Sequence, residues 1–512
     1  MEFALEDINR HPTTVTKQSV HVHRRPSERV NTQADSEVNL GDIDLREGQH
    51  GDSSASASAP VFAGFGENPS LPPVDEVVLL FHVAYVVQSL IQTPLILQGW
   101  NAWRFCASAF AFELFIWGWN NTYGIFQDFY SKNPPFNGSS SAAISTIGTA
   151  SLGIQYFELI LAIILYQRYP EYARPGMWIS LVVCVAALFL SSFATKTWHL
   201  IILLGFVFGF SAGLLYSPVM IWLPEWFVAR RGLATGIIFC GSGVGGFIFP
   251  FMMGYLLEYA GFRWTLRIWA LTFGLCCAIA VLGLKPRVPT RKPSIEFPRQ
   301  PWRPRDLSLL KSPVLFGVIG ITVIQALGFF PVSLFISTYT SSLSSAKLPP
   351  LLVLSLFNVA AALFFVLFGR FSDSYPYPYV IMASGIGCAL ASFIFWGFAS
   401  SLAWIFSFAI VFGGFGGAFP TIWPVAASEI GGTHNHITNI ALGCFMSAEG
   451  LTSIIGPIIA ASLRNTGTKA KATYGGFGFK SVELFVGFMG VVTMIGGFIL
   501  LFYSTSKRKV KV

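Results

Sequence analysis

Two glycine-rich stretches of this 512-residue chain decide its fold. Residues 209–225 read GFSAGLLYSPVMIWLPE, and residues 413–429 read GGFGGAFPTIWPVAASE. Each stretch begins with two glycines four residues apart, continues as an apolar run and ends in a glutamate, Glu225 in the first and Glu429 in the second. Similar segments at a separation of 204 residues indicate an internal duplication, so other features should recur at nearly the same distance.

Features on both sides of these stretches do recur. An alanine, two glycines and a proline at positions 234, 236, 243 and 250 reappear 207 residues later, at 441, 443, 450 and 457. A basic and acidic pair, Arg168 and Glu171, reappears 202 residues later as Arg370 and Asp373. Glycine-rich helices can produce one such match by chance, but they do not account for charged pairs at loop positions. The chain is therefore predicted to consist of two related halves.

The composition places both halves in a membrane. Hydrophobic residues make up 53% of the chain and charged residues 11%, with a mean hydropathy of +0.59. Ordinary soluble domains contain about 25% charged residues. So few charges cannot cover so much apolar surface, which excludes soluble enzymes, DNA-binding proteins and fibrous proteins. The net charge of +8 lies in loops and tails and does not form a nucleic-acid-binding patch.

Twelve apolar segments reach the length of about 20 residues that a membrane-spanning helix needs. We predict an all-α polytopic membrane protein with two six-helix halves, 103–284 and 313–503, joined by a basic linker at 285–312. The predicted spans are 103–130, 140–166, 176–195, 198–223, 233–258, 263–284, 313–337, 350–370, 379–399, 402–424, 436–463 and 479–503.

The distribution of basic residues predicts the orientation. The linker and the short basic tail at 504–512 lie on the same side as the N-terminus, and basic loops concentrate on the cytoplasmic side. Both termini are therefore predicted to be cytoplasmic, and residues 1–75 are predicted to form a polar, disordered tail. The loop 464–480, with four basic residues, is an exception on the external side. Asn137 begins an Asn-Gly-Ser sequon in the first external loop and is a candidate glycosylation site.

No cofactor or metal site is expected. The seven cysteines lie in apolar runs, and none forms a Cys-x-x-Cys pair. The glycines at 241–246 match a dinucleotide-binding pattern, but they lie in a predicted membrane helix without a preceding strand. Since neither a nucleotide-binding loop nor a catalytic constellation is apparent, the chain is not expected to be an enzyme.

Several motifs resemble those of the major facilitator superfamily. The loop 369–373 (GRFSD) resembles the superfamily's signature between the second and third helices of a half. The segments 226–236 (WFVARRGLATG) and 261–264 (GFRW) resemble the fifth-helix signature of fungal monocarboxylate-transporter-like permeases, and 119–127 (WNNTYGIFQ) resembles their first-helix pattern. The resemblance implies a secondary transporter that binds its solute between two rocking halves and works as a monomer.

The resemblance also implies which residues contact the solute. In this fold the first, fourth, seventh and tenth spans line the central cavity. The candidates are central polar or aromatic side chains of these spans, together with one asparagine of the eighth span: Asn121, Tyr123, Gln127, Tyr216, Gln325, Trp423 and Asn358.

Three acidic residues lie within predicted spans and are candidates for proton coupling. They are Glu113, about 15 Å into the first span, Glu158 in the second and Glu449 in the eleventh. A carboxylate in a membrane is costly unless it is paired, protonated or facing a cavity. Since burial favours the protonated form, such a group can carry a proton. A neutral, hydrogen-bonded structural role is the alternative for each.

Charged residues at the cytoplasmic ends of related helices are predicted to form a gate. Ion pairs among them would close the cytoplasmic side and break when the cavity opens inward. The alternative is that they set topology or complement helix dipoles. The candidates are Arg168, Glu171, Glu225, Arg230, Arg231, Arg370, Asp373 and Glu429.

One departure from the family pattern concerns the solute. Animal relatives have a lysine in the first helix and an Asp/Arg pair in the eighth. In this chain Asn121 aligns with the lysine, and Asn358 in the eighth span is followed by Ala361, Phe364 and Phe365. Without a cationic clamp, a larger amphipathic solute fits better than a lactate-like anion.

Residues 76–102 contain an apolar insert before the first span. The family pattern here is Pro-Pro-x-Asp-Gly-Gly, a few residues and then Trp, but residues 77–98 separate 72–76 (PPVDE) from 99–103 (GWNAW). A valine codon begins with GT and a glutamine codon can be CAG, which match the ends of an intron. Residues 77–98 are therefore interpreted as a retained intron. The alternative is an apolar helix in the membrane or at its surface.

The leading functional prediction is alternating-access export of a weakly acidic or apolar natural product, in the plasma membrane. Proton-coupled uptake of a monocarboxylate or similar nutrient is the alternative. A non-transporting membrane sensor is an alternative of another class. The expected partners are a small-molecule solute, protons and the lipid bilayer, without nucleic acid.

Overall fold

The computed structural model describes residues 93–227, 230–288, 299, 311–346, 348–432, 434–465 and 473–510. Within these ranges, the side chains of 93–98, 141, 435 and 504–510 are not described. The predicted tail 1–75, residues 77–92 of the apolar insert and most of the linker lie outside the described residues. Residues 93–98 of the insert belong to the first helix.

The described residues form twelve long helices, numbered here in chain order. They are α1 (Thr93–Phe112, Glu113–Trp117 and Gly118–Lys132), α2 (Ser141–Arg168), α3 (Ala173–Ser191), α4 (Thr197–Trp226), α5 and α6 (Arg231–Gly283, divided at Gly261), α7 (Pro313–Leu343), α8 (Leu348–Ser374), α9 (Tyr377–Trp396), α10 (Leu402–Gly431), α11 (Asn435–Leu463) and α12 (Lys480–Val510).

The predicted all-α fold is confirmed. Ten helical runs among the described residues are long and apolar enough to span a membrane. One of them, Arg231–Gly283, contains two helices, because Gly261 has φ 69° and interrupts the helical backbone. The first helix is more polar and is not among the ten. The ten runs therefore contain eleven helices, and α1 brings the number to the twelve predicted spans.

Three helices contain π-helical turns, at Glu113–Trp117 in α1, at Ile201–Val207 in α4 and at Ala391–Trp396 in α9. A π turn inserts one extra residue and rotates the helix beyond it, and such turns frequently occur at functional sites. The first of them begins at the predicted coupling residue Glu113.

The repeated glycines form the two interfaces between the halves. On α5, a Cβ at Gly236 would lie 2.3 Å from the carbonyl oxygen of Phe365 on α8, and one at Gly243 would lie 2.7 Å from that of Asn358. Their counterparts on α11 face α2, where a Cβ at Gly450 would lie 2.5 Å from the Cβ of Tyr156. Small residues allow helix backbones to approach this closely. The duplication in the sequence is therefore a duplication of the contact between halves.

We expect Gly236→Val to destabilise the protein, because the new side chain cannot fit against the α8 backbone. Overpacking of this kind costs about 1–3 kcal/mol. The matched control is Gly254→Val on the same helix, where a Cβ meets nothing within 4 Å. Thermal unfolding of the two purified variants checks the prediction, and equal Tm values would contradict it.

Candidate functional site

The candidate solute contacts of α1 bind neighbouring helices. The amide of Gln127 donates to Ser145 Oγ on α2 at 2.9 Å, and the hydroxyl of Tyr123 donates to the carbonyl oxygen of Ile144. Asn121 donates to the carbonyl oxygen of Ser242 on α5 at 3.3 Å and is exposed. Of these three side chains, Asn121 is the most accessible to a solute.

Sequence reasoning missed a polar network one residue away from Asn121. Asn120 donates to Gln155 Oε1 on α2 at 2.9 Å, and Gln155 donates to Ser151 Oγ at 3.0 Å. Asn120 lies within the quoted first-helix motif, but the motif alone did not indicate that it faces α2. The network fixes the polar side of α1 against α2.

The candidates of the C-terminal half are more deeply buried. Gln325 on α7 donates to the carbonyl oxygen of Gly416 on α10 at 2.9 Å. Asn358 on α8 donates to the carbonyl oxygens of Leu354 at 2.9 Å and of Gly246 at 3.4 Å, so it bridges the interface between the halves. Trp423 is almost completely buried. In this state of the protein, these side chains pack helices together.

Glu113 lies on α1 in contact with α4 and α5 of the N-terminal half. Its side chain is 4% exposed, and it accepts a hydrogen bond from the hydroxyl of Tyr216 on α4. A Cβ at Gly241 on α5 would lie 2.9 Å from the Cβ of Glu113, so this glycine makes room for the acid. Tyr216 was predicted as a solute contact and Glu113 as a coupling residue. The structure brings the two together.

Aromatic rings surround this carboxyl. Trp117, one helical turn after Glu113, lies 4.5 Å from the ring of Tyr156 on α2 and 5.8 Å from that of Tyr216, between ring centroids. On its other side, Tyr156 faces α11, where a Cβ at Gly450, the residue after Glu449, would lie 2.5 Å from the Cβ of Tyr156. Tyr156 was missed because its helix was not expected to line the cavity.

The other buried acids occupy different surroundings. Glu449 on α11 is 3% exposed, and its Oε2 has no hydrogen-bond partner among the described residues. The carboxyl of Glu158 packs against Gly213 on α4, inside the N-terminal half, and neither of its oxygens has a hydrogen-bond partner among the described residues. Glu483 on α12 was not predicted, since it lies at the edge of the last span. It is fully buried, and neither of its carboxyl oxygens has a hydrogen-bond partner among the described residues.

At the predicted cytoplasmic side, Asp373 joins the halves. Its carboxylate accepts hydrogen bonds from the backbone amides of Gly232 at 2.6 Å and Leu233 at 2.8 Å, in the first turn of α5. A carboxylate there satisfies amides that have no partner within the helix and complements the helix dipole. A Cβ at Gly232 would lie 2.4 Å from the carbonyl oxygen of Gly369, so glycine is required for the close approach.

Glu171, the counterpart of Asp373 in the first half, has a different partner. It forms an ion pair with Arg299 at 2.8 Å, and the Arg299 guanidinium lies 4.5 Å from the centroid of the Tyr169 ring. The two related acids therefore make different contacts, one with a helix N-terminus of the other half and one with the linker.

The remaining gate candidates make local contacts. The carboxylate of Glu225 accepts hydrogen bonds from the backbone amides of Arg287 at 3.1 Å and Val288 at 3.4 Å. Arg370 donates to Ser374 Oγ at 2.6 Å. Arg231 donates to the Phe227 carbonyl oxygen at 3.1 Å. Arg168 donates to the Tyr169 hydroxyl at 3.4 Å. Glu429 is exposed and Arg230 is partly buried.

The sequon asparagine lies in the loop between α1 and α2. Asn137 is exposed, and Ser139 Oγ lies 2.5 Å from Thr197 Oγ1. Among the described residues, no group of three or more His, Cys, Asp and Glu side chains is placed to hold a metal ion.

Comparison with known proteins agrees with this architecture. The sequence model of the Major Facilitator Superfamily matches residues 105–457. The chain is similar to the MFS transporter asaE of Aspergillus flavus, with 28% identity over 72% of this chain and 81% of the relative. It is also similar to the aspyridones efflux protein apdF of Emericella nidulans, with 26% identity over 78% of this chain and 77% of the relative.

A solved structure shares the fold. The human organic anion transporter MFSD10 (TETRAN) superposes with a TM-score of 0.59 and 13% identity, covering 80% of this chain and all of that chain. The twelve helices, the duplicated glycine interfaces and the matching sequence model lead to one assignment: this chain is a multi-pass membrane transporter that belongs to the major facilitator superfamily.

Proposed function

We propose that this chain exports a weakly acidic or apolar natural product by alternating access. The observation that carries this proposal is the similarity, over most of both chains, to fungal relatives that include a named efflux protein. The side chains proposed to meet the solute support it, because they are amides and aromatic rings without a cation: Asn121, Tyr123, Gln127, Tyr216, Gln325, Asn358 and Trp423.

The absence of a cation from this set matters for the solute. A small carboxylate such as lactate loses its hydration when it binds and needs a charged or bidentate partner in return. A larger amphipathic molecule gains affinity from its apolar surface and needs a few hydrogen bonds for orientation. Asn121, which is exposed, can supply one such bond from α1.

Transport in sealed vesicles tests the proposal. Proteoliposomes that contain the purified chain would be loaded in turn with lactate, with an aromatic weak acid and with an apolar polyketide, and efflux would be followed. We expect efflux of the larger solutes above that of protein-free vesicles. Flux of lactate alone would instead support the monocarboxylate alternative, and the absence of flux of every solute would support the sensor.

We further propose that protons drive this export and that Glu113 takes the proton. Glu113 combines depth, burial and a single hydrogen-bond donor, Tyr216, which can serve either protonation state of the carboxyl. Glu158 and Glu449 remain secondary candidates for the same role. Arg168, Glu171, Glu225, Arg230, Arg231, Arg370, Asp373 and Glu429 are proposed to control opening on the cytoplasmic side.

The proposed setting is the plasma membrane, with both termini in the cytoplasm and a single chain as the working unit. In this orientation Asn137 is external and available for glycosylation. Treatment of membranes from the fungal host with an endoglycosidase tests this: a mobility shift that Asn137→Gln removes would support the orientation.

A further inference from the structure

Two neighbouring helices of the N-terminal half, α3 and α6, share an outward apolar surface. They are in contact, because a Cβ at Gly274 on α6 would lie 2.9 Å from Cγ2 of Val185 on α3. Large exposed side chains follow one another along this surface: Trp264, Ile268, Leu271 and Leu275 on α6, with Phe189 and Phe193 at the end of α3. In a protein that spans a membrane, such a surface faces the acyl chains of the lipid.

One arginine lies at the predicted external end of this surface. The guanidinium Cζ of Arg267 is 4.8 Å from the centroid of the Phe193 ring and 5.0 Å from that of the Trp264 ring. Its Nε donates to Ser192 Oγ at 3.1 Å, and Ser192 is completely buried. Two aromatic faces and one hydroxyl therefore fix the guanidinium at the junction of α3 and α6.

This cation has no acidic partner among the described residues. Its two Nη groups also have no hydrogen-bond partner in the part of the chain that the structure describes. Arg267 lies four residues into the predicted span 263–284, or about 6 Å at 1.5 Å per residue. A charge at this depth beside lipid is costly unless it meets an anion or reaches the headgroup region.

The other charges nearby in the sequence do not compensate Arg267. Lys196 follows α3, Arg263 lies one helical turn before Arg267, and both are exposed cations. The nearest acid in the sequence, Glu258 near the end of α5, is exposed and forms no ion pair within the described ranges. The end of α3 and the start of α6 therefore attract anions.

We propose that Arg267 binds the phosphate of a membrane phospholipid whose acyl chains lie along the apolar surface of α3 and α6. The planar guanidinium carries N–H groups in a fork that matches two phosphate oxygens. The position of Arg267, at the end of a surface that faces lipid, suits a phosphate attached to acyl chains better than a free ion. Since α3 and α6 take no part in the α5–α8 and α2–α11 interfaces, the lipid can stay bound while the halves rock.

Native mass spectrometry tests this site directly. The full chain, purified in detergent, would be titrated with phosphatidylglycerol, and the dissociation constant of the first bound lipid would be measured. We expect Arg267→Gln to weaken this binding about tenfold, because it removes charge-assisted hydrogen bonds to the phosphate. Arg267→Lys keeps the charge without the fork, so it should give an intermediate affinity.

Arg263→Gln is the matched control. It removes an arginine of the same helix whose guanidinium lies 5.8 Å from the centroid of the Phe262 ring, away from Phe193 and Trp264. We expect it to bind phosphatidylglycerol as the unmodified chain does. Two further probes identify the ligand. Diacylglycerol, which has acyl chains and no phosphate, should bind more weakly than phosphatidylglycerol, and millimolar inorganic phosphate should not displace the lipid.

Four results would overturn the inference. Equal affinities of Arg267→Gln and the unmodified chain would show that Arg267 does not bind the lipid, and an equal loss in Arg263→Gln would indicate general charge attraction. Equal binding of diacylglycerol would leave only the apolar surface, and displacement by inorganic phosphate would indicate a site for free anions. The last two measurements use the unmodified chain, so they decide the question even where a variant fails to fold. None of them depends on the exported solute.

Discussion

Glu113→Gln is expected to abolish accumulation of the solute against its gradient while leaving solute exchange intact. Glutamine has nearly the size of glutamate, and its carbonyl oxygen can still accept the hydrogen bond from Tyr216. It cannot take up a proton, so the pH gradient loses its connection to transport. The solute identified in the vesicle assay would be measured twice in proteoliposomes, under an imposed pH gradient and in counterflow without one.

The control for this variant is Glu483→Gln. It removes a buried carboxyl on α12, in the other half, that is not proposed to carry a proton. We expect it to retain gradient-driven accumulation. Accumulation by Glu113→Gln with the pH dependence of the unmodified protein would refute the role of Glu113.

Asp373→Ala should shift the protein toward states in which the predicted cytoplasmic side is open. The substitution removes both acceptors of the α5 amides, at Gly232 and Leu233. Loss of a helix cap costs about 0.5–2 kcal/mol, which corresponds to a change of about 2- to 30-fold in the equilibrium between states. Asp373→Asn keeps one acceptor without the charge and should have an intermediate effect.

Distances between spin labels measure this shift. Tyr172 and Tyr375 are exposed and lie in the related α2–α3 and α8–α9 connections, so each can be replaced by cysteine and labelled in a background without native cysteines. In Asp373→Ala the population with the longer distance should grow. Asp128→Ala is the control, because Asp128 forms an exposed ion pair with Lys132 at 2.7 Å. Identical distance distributions with and without Asp373 would contradict the gate.

The helices of this protein were predictable because each depends on a continuous apolar segment of the sequence. The apolar segments 233–258 and 263–284 anticipate the two parts of Arg231–Gly283, and the break falls at Gly261 between them. The first helix was predicted less well, since it begins at Thr93 rather than at Trp103. The residues before Trp103 had been assigned to an insert, and apolar composition does not show where a helix starts.

The site was less predictable, because it depends on which helices face each other. Glu113 was singled out by its depth, but its contact with Tyr216 joins residues 103 positions apart. Asn358 is a predicted solute contact, and sequence alone did not indicate that its amide donates to the Gly246 carbonyl oxygen across the interface between the halves. Tyr156 had no distinguishing sequence signal, since an aromatic residue in an apolar helix is ordinary. Such contacts join residues on different helices, so they follow from how the helices pack and not from the sequence of any one helix.

The glycine contacts have a consequence for the origin and motion of the two halves. Since α8 is the repeat of α2 and α11 is the repeat of α5, the α5–α8 and α2–α11 interfaces join the same two surfaces twice. This is the contact pattern of a twofold-symmetric homodimer, in which each subunit presents both surfaces to its partner. Once both copies reside in one chain, each can change alone, as Asp373 and Glu171 have done. A mutation in a homodimer changes both copies of such an interface, whereas a mutation in this chain changes one interface at a time. The α5–α8 and α2–α11 interfaces of this transporter can therefore differ in stiffness.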